Sequence, residues 1–488
     1  MNPITNILRL PPGALALIMP LILAGCAAVG PDYVPPELRT PATWHTSLEG
    51  GPVAGETDPT ALTHWWKTFN DPRLSSLIER AVSGNIDLKQ AGARLREARA
   101  RRGLARTEFF PTLDGSGSAT KIYSKEGTGG TETRDLYAAG FDAGWELDLF
   151  GGIRRGLEAA DADLQASREA LCDVLVSLLA EVAVNYLETR TYQARLAAAK
   201  ANLNNQEETY SLTQMRYLAG LSDALAVQQA RYNLENTRSQ IPTLHTGLEG
   251  AMNRLAVLLG ETPGTLHREL EHPEPIPVAP AQIAVGVPAD LLRQRPDIRR
   301  AERELAAQTA RIGVATAQLY PTFTLRGSIG FEALQLDDLL SGGGRTLAIG
   351  PRITWPVFDA GALRRNIEVQ SAIQEQALMA YESTVLAALE EVENALSAYV
   401  DEQLRRESLI EASRAAETAV DLAQDKYRAG LTDFSDVLDA QRSLLSFEDQ
   451  LARSGGTVLS NLIALYKAMG GGWTSLTLDE THTSPTER

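Results

Sequence analysis

One offset organises this 488-residue chain, because residues recur 210 positions apart along most of its length. Phe110-Pro111-Thr112 matches Tyr320-Pro321-Thr322, Gly117-Ser118 matches Gly327-Ser328, Trp145 matches Trp355, and Gly151 matches Gly361. Arg154-Arg155 match Arg364-Arg365, and Glu181-Val182 match Glu391-Val392. Tyr217, Gly220, Leu221 and Asp223 match Tyr427, Gly430, Leu431 and Asp433. A single offset held this long means one unit was duplicated without net insertion. Any fold must therefore be two copies of one element order, which by itself says nothing of function.

Each copy reads as a helix, a strand pair, a very long helix, a turn and another helix. Strands are predicted at 112–124, 136–149, 322–333 and 346–358 from period-two alternation. In the second, Tyr137, Ala139, Phe141, Ala143, Trp145 and Leu147 share one face, and Asp142, Glu146 and Asp148 fall on the other. The first is the weakest, with only Leu113 and Ala119 clearly apolar. The loops 125–135 and 334–345 are rich in Gly, Ser, Thr and charge. Runs of this length suit tilted strands that cross a membrane, which need about 9–11 residues; they also suit the edge of a soluble sandwich. Four strands cannot close a membrane barrel, and an open edge in lipid leaves backbone groups unpaired. Several chains would have to pool strands, and the arithmetic permits two, three or four.

Between the strand pairs, 157–219 and 366–429 contain neither proline nor glycine. Leu171, Leu175, Leu178 and Val182 recur at coiled-coil spacing. A helix of about 60 residues is roughly 90 Å long, more than one globular core needs. Alanines such as Ala197-Ala198-Ala199 allow close helix packing or simply favour helix. Shorter helices are expected at 86–108 and 297–318, each ending near Pro111 or Pro321, and six prolines make 262–288 an extended connector.

Net charge is −16 and the pI is near 5.0, so a basic face that would neutralise phosphates has little support and no nucleic acid is expected. The six histidines are scattered, with no His-Glu-x-x-His pair, no cysteine ligand cluster and no phosphate-binding glycine loop. No catalytic set, metal or cofactor is expected, and Arg154-Arg155 and Arg364-Arg365 read as lumen or interfacial residues. Arg9 and the short apolar run 14–23 read as an export signal at 1–25, too short for a permanent anchor. Leu23-Ala24-Gly25-Cys26 resembles a bacterial lipobox, which implies acylation of Cys26, and Ala27 in place of Asp implies outer-membrane sorting. The only other cysteine is Cys172, so no disulfide is expected in a mature lipoprotein.

Three stretches carry a family resemblance: Gly30-Pro31-Asp32-Tyr33, Trp65-Trp66-Lys67-Thr68-Phe69-Asn70-Asp71-Pro72, and Leu291-Leu292-Arg293-Gln294-Arg295-Pro296-Asp297-Ile298. With Gly430-Leu431-Thr432-Asp433, Leu438-Asp439-Ala440-Gln441-Arg442 and the duplication, the chain resembles a TolC-like outer-membrane factor of the NodT-type lipoprotein branch, which serves resistance-nodulation-division pumps. The resemblance implies a mixed, mainly α fold with β: four strands per chain given to a trimeric twelve-stranded transmembrane β-barrel, a long α-helical coiled-coil periplasmic tunnel, a small equatorial domain and an internal two-fold repeat. It divides the chain into a signal peptide (1–25), a lipid-anchored and equatorial segment (26–85), repeat 1 (86–260), an equatorial connector (261–295), repeat 2 (296–469) and a tail (470–488).

The implied function is a passive homotrimeric exit duct, lipid-anchored in the outer membrane, that couples through a periplasmic adaptor to an inner-membrane pump. A type I protein secretion channel shares the architecture, and a coiled-coil scaffold without a pore is the reading from another class. Gly220-Leu221-Ser222-Asp223 and Gly430-Leu431-Thr432-Asp433 correspond to the periplasmic tip that meets the adaptor, and each also reads as a helix stop at Gly followed by Ser222 or Thr432 as the next N-cap. Ser435, Asp436 and Asp439 correspond to the constriction, where a trimer would stack carboxylate rings and conductance would depend on pH and divalent cations. Asp433 and Asp436 also suit a helix N-terminus, an account that is weaker for Asp439, two turns in. Six dispersed methionines give no support to a copper or silver route.

Overall fold

The computed structural model describes residues 28–37, 41–46, 52–54, 62–125, 131–280, 283–286, 288, 294–339, 341 and 344–473. The signal segment, Cys26 and Leu291-Leu292-Arg293 lie outside the described residues, as does the tail beyond Trp473. In chain order the elements are β1 (Pro52–Ala54), α1 (Pro72–Gly84), α2 (Ile86–Thr107), β2 (Thr112–Lys125), β3 (Thr131–Leu147), α3 (Gly152–Leu218) and α4 (Ala224–Leu258). Then follow α5 (His267–Leu270), β4 (Ile283–Val285), α6 (Pro296–Ala317), β5 (Thr322–Ala333), β6 (Arg345–Thr354), α7 (Ala362–Arg428) and α8 (Phe434–Ala468). Helices α2, α3 and α4 have 22, 67 and 35 residues, and so do α6, α7 and α8.

Two compact units emerge, and neither is a sequence repeat. One gathers Met1–Glu37, Arg94–Arg168 and Arg300–Glu382; the other gathers Leu38–Ala93, Glu169–Arg299 and Ser383–Arg488. Each draws on both copies, since the long helices α3 and α7 contribute residues to both units.

The first unit holds an antiparallel sheet in the order β2-β3-β5-β6. Phe141 lies opposite Ile329, Trp145 opposite Leu325 and Ile329 opposite Leu347, which gathers apolar side chains on one face. Asp142 opposite Ser328 and Glu146 opposite Thr324 mark the polar face. Among the described residues nothing covers the apolar face: Phe141, Ile329, Leu347 and Ile349 are all more than half exposed. Two strands stop earlier than their alternation suggested, at Leu147 and Thr354 instead of 149 and 358. Asp148 has left the ladder to accept the Ile153 and Arg154 amides at the start of α3, and Thr354 already faces Thr322, the first residue of β5, so β6 has no ladder partner beyond it. Arg155 was expected on a lumen or interface and is instead buried, 5% exposed.

The second unit contains the largest core. Trp65, Leu74, Leu77 and Ile78 pack with Leu179, Val182, Tyr186, Leu255, Leu396, Leu462 and Tyr466. Burial of each such aliphatic side chain contributes about 1.5–3 kcal/mol. This core explains the tryptophan-rich stretch: Trp65 stacks on Tyr466 at 5.5 Å, and Asp71 caps α1 through the Arg73 and Leu74 amides while accepting the Tyr186 hydroxyl at 2.6 Å. A window of α3 is long and apolar enough to cross a bilayer, but 61% of it is buried inside the protein, as a core helix would be. In the same unit β1 and β4 pair in parallel, Pro52 opposite Ile283.

Candidate functional site

The two helix-to-helix turns share one backbone. Gly220 and Gly430 both have φ +74°. The Leu221 amide donates to the Arg216 carbonyl at 2.8 Å and the Gly220 amide to Tyr217 at 3.0 Å; Leu431 and Gly430 do the same to Lys426 and Tyr427 at 2.9 and 3.1 Å. This pair of closing bonds ends a helix at a left-handed residue, where a side chain with Cβ costs about 1–2 kcal/mol.

The next helix is capped one residue later than the sequence suggested. Glycine and leucine are used in the closing bonds and Ser222 or Thr432 carries the chain round, so Asp223 and Asp433 stand at the N-cap positions. Asp223 accepts the Ala226 amide at 2.8 Å, whereas the Asp433 side chain makes no cap bond. Thr432 donates its hydroxyl to Asp436 instead.

A cluster of Ala226, Ala230, Tyr427, Phe434, Val437 and Leu438 lies just inside the turns and joins α4, α7 and α8. Burying Phe434, Val437 and Leu438 turns Ser435, Asp436 and Asp439 outward, all exposed. Asp439 is paired with Arg442 at 3.5 Å. Arg442 in turn reaches α4, where it donates to Asn233 at 3.3 Å and to the Tyr232 hydroxyl, its guanidinium 5.2 Å over the Tyr232 ring.

The surroundings of the turns differ. Near the first, Met215, Leu218, Leu221 and Leu225 are exposed apolar residues. Their counterparts 210 residues on are Asp425, Arg428, Leu431 and Ser435, so only one remains apolar. Arg216 was missed by sequence reasoning. It lies 4.6 Å over the Tyr427 ring and donates to the Arg428 carbonyl at 3.3 Å, tying the end of α3 to the end of α7. A cation before a tyrosine in both copies, Arg216-Tyr217 and Lys426-Tyr427, was the available signal. Among the described residues no group of three or more His, Cys, Asp or Glu could hold a metal ion.

Comparison with known proteins agrees over nearly the whole chain. Residues 77–261 and 287–471 match the outer membrane efflux protein family. Nodulation protein T of Rhizobium leguminosarum bv. trifolii is 35% identical over 459 residues, covering 93% of this chain and 96% of the relative. The solvent efflux pump outer membrane protein SrpC of Pseudomonas putida is 33% identical over 468 residues, 94% of this chain and 98% of the relative. Among solved structures, the outer-membrane channel OprN superposes with a TM-score of 0.86 at 39% identity, covering 91% of this chain and 99% of that one. The open state of the Neisseria gonorrhoeae MtrE outer membrane channel gives 0.80 at 29% identity, covering 91% and 98%. By sequence along most of its length and by fold, this chain belongs to the outer membrane efflux protein family.

Proposed function

We propose that this chain is the passive outer-membrane exit channel of a tripartite efflux system, working as a homotrimer with a periplasmic adaptor and an inner-membrane pump. The observation that carries the reading is the sheet: its apolar face is exposed and its outer strands, β2 and β6, each have a partner on one side only among the described residues. Such a sheet suits lipid on one face and water on the other, and it needs neighbours to complete its backbone pairing. Three copies bring twelve strands, wide enough to leave a channel. The relatives named for efflux favour this over protein secretion. In the proposed assembly the two turns meet the adaptor, Ser435, Asp436 and Asp439 form the gate, and acylated Cys26 anchors the chain.

The duplication predicts how neighbouring copies join. The hairpin pairs Thr112–Gly144 and Thr322–Thr354 coincide after a shift of 210. Exchanging the copies in the β3–β5 junction, where Tyr137 faces Ala333, sets Leu347 of β6 opposite Tyr123 of a neighbouring copy's β2. Opposed residues in an antiparallel pair have Cα atoms about 4.5–5.5 Å apart, close enough for a disulfide. Leu347→Cys with Tyr123→Cys should therefore give a covalent trimer on oxidation, and Leu347→Cys with Lys125→Cys a much weaker yield. A chain that stays monomeric in detergent and conducts no ions in planar bilayers would overturn the channel reading in favour of a scaffold.

A further inference from the structure

Gly30-Pro31-Asp32-Tyr33 is not explained by the gate, the turns or the sheet, yet it is among the most heavily bonded segments of the first unit. The Val29 amide donates to the Phe150 carbonyl at 3.0 Å, three residues past the end of β3. Arg155, 5% exposed, donates to the Val29 carbonyl at 3.1 Å, the Gly30 carbonyl at 3.4 Å and the Asp32 carboxylate at 2.6 Å, while Glu158 takes its remaining edge at 2.8 Å. Tyr33 donates to Glu302 at 3.1 Å, lies under the Arg303 guanidinium at 5.6 Å and packs on Ala162, Ala306 and Ala307.

The fit leaves no room for larger residues. Gly30 has φ +91°, and a Cβ there would lie 2.4 Å from the Cα of Gly313. A Cβ on Gly313 would lie 2.7 Å from Cγ of Arg155. The duplicated counterparts show that this socket is not needed to build the unit. Arg365 has a side chain 78% exposed and, among the described residues, pairs only with Glu368 in its own helix, and a Cβ on Gly103 or Gly361 would meet nothing within 4 Å. Among the described residues, α7 thus starts at the position equivalent to the start of α3 without an arm against it.

We propose that Gly30-Pro31-Asp32-Tyr33 is a latch and Arg155 its socket, which together hold the lipid attachment point at the foot of β3. The inference rests on the reading of Cys26 as acylated. Two residues of chain reach at most about 7 Å beyond Ala28, so a seated arm limits where the acyl chains enter the bilayer. An anchor on a free arm would tether the protein without fixing its position. Arg155 is a positioning residue, because it acts on the anchor only through the arm.

The test uses full-length protein with a spin label on Val34→Cys, which is 76% exposed; Cys172 is buried and Cys26 is consumed by acylation. Radioactive palmitate incorporation and heat-resistant trimer are measured alongside. The label should show the restricted motion of an ordered surface backbone in the parent and at least tenfold higher mobility in Arg155→Ala. Asp32→Ala, which changes an exposed carboxylate and leaves the core intact, should loosen it in the same direction. Palmitate and trimer should be unchanged, and Arg365→Ala should have no effect. An arm that stays as restricted in both variants, or loosens equally in Arg365→Ala, overturns the latch. Absence of palmitate from the parent overturns the anchor reading of Cys26 and this role with it.

Discussion

Asn85 and Arg295 stand at equivalent places in the two copies and perform one task with different chemistry. The Asn85 amide donates to the Leu258 carbonyl at 2.8 Å, and Arg295 donates to the Ala468 carbonyl, 210 residues on from Leu258, at 2.9 Å. Each fastens the start of a shorter helix to the last turn of its copy. Asn85 also caps α2 by accepting the Leu88 amide at 2.9 Å. Arg295 has no acceptor to offer, so Asp297 takes over: it accepts the Ile298 amide at 2.9 Å and pairs with Arg295 at 2.6 Å, and Glu391 adds a contact at 2.7 Å. A neutral joint has become an ionic one without moving the backbone bond that it serves. Duplication therefore preserves where a connection is made more strictly than what makes it.

The contrast breaks most sharply under truncation. Arg295→Ala leaves the mostly buried Asp297 carboxylate without its partner and should cost about 3–5 kcal/mol. Asn85→Ala should cost about 1–3 kcal/mol, the penalty for unmet neutral groups. Thermal unfolding in detergent checks both, and equal losses would erase the distinction. Acid sharpens it. Burial pushes the Asp297 carboxyl up, but the bonds and charge of Arg295 with the Ile298 amide outweigh it and hold the group below the usual carboxylate range. A depressed carboxylate contributes stability that is full above its unfolded value, near pH 4, and is lost as pH falls through the folded value. Asp297→Asn should flatten that acid limb, and Asn85→Ala should leave its slope unchanged.

The turns offer the next comparison. Asp436 and Asp439 have Ala226 and Gln229 as counterparts, so Asp436→Ala with Asp439→Gln makes the second turn resemble the first. Single-channel recording should then show higher conductance and loss of block by divalent cations, and an unchanged trace would remove these residues from the gate. The smallest effect belongs to the caps. Asp223→Ala removes a cap bond and should cost about 1 kcal/mol, whereas Asp433→Ala, which removes none, should be near neutral. Equal losses in thermal unfolding would show that the dipole, not the bond, is what matters.

Periodicity and the repeat made the helices, strands and turns legible, because each depends on residues near in sequence. The misplaced details also have local causes. Ser222 and Thr432 look like caps until the closing bonds are counted, and Trp355 extends an apolar alternation past the last residue that β5 can pair. What could not be read were contacts that join distant segments. Nothing local to Arg155 points to residues 29–32, nor does anything local to Arg216 point to Tyr427. An arginine reads as solvated until the fold shows which carbonyls surround it.

Beneath the turns, the Arg216 Nε and the Tyr427 hydroxyl are buried with no hydrogen-bond partner among the described residues. Left without a partner, each such group costs about 1–3 kcal/mol. A rearrangement that gave either group a partner would recover that cost, so this end of the helices holds less tightly than its apolar cluster alone suggests. In the proposed channel, such a clasp would give way at lower cost than a fully bonded one.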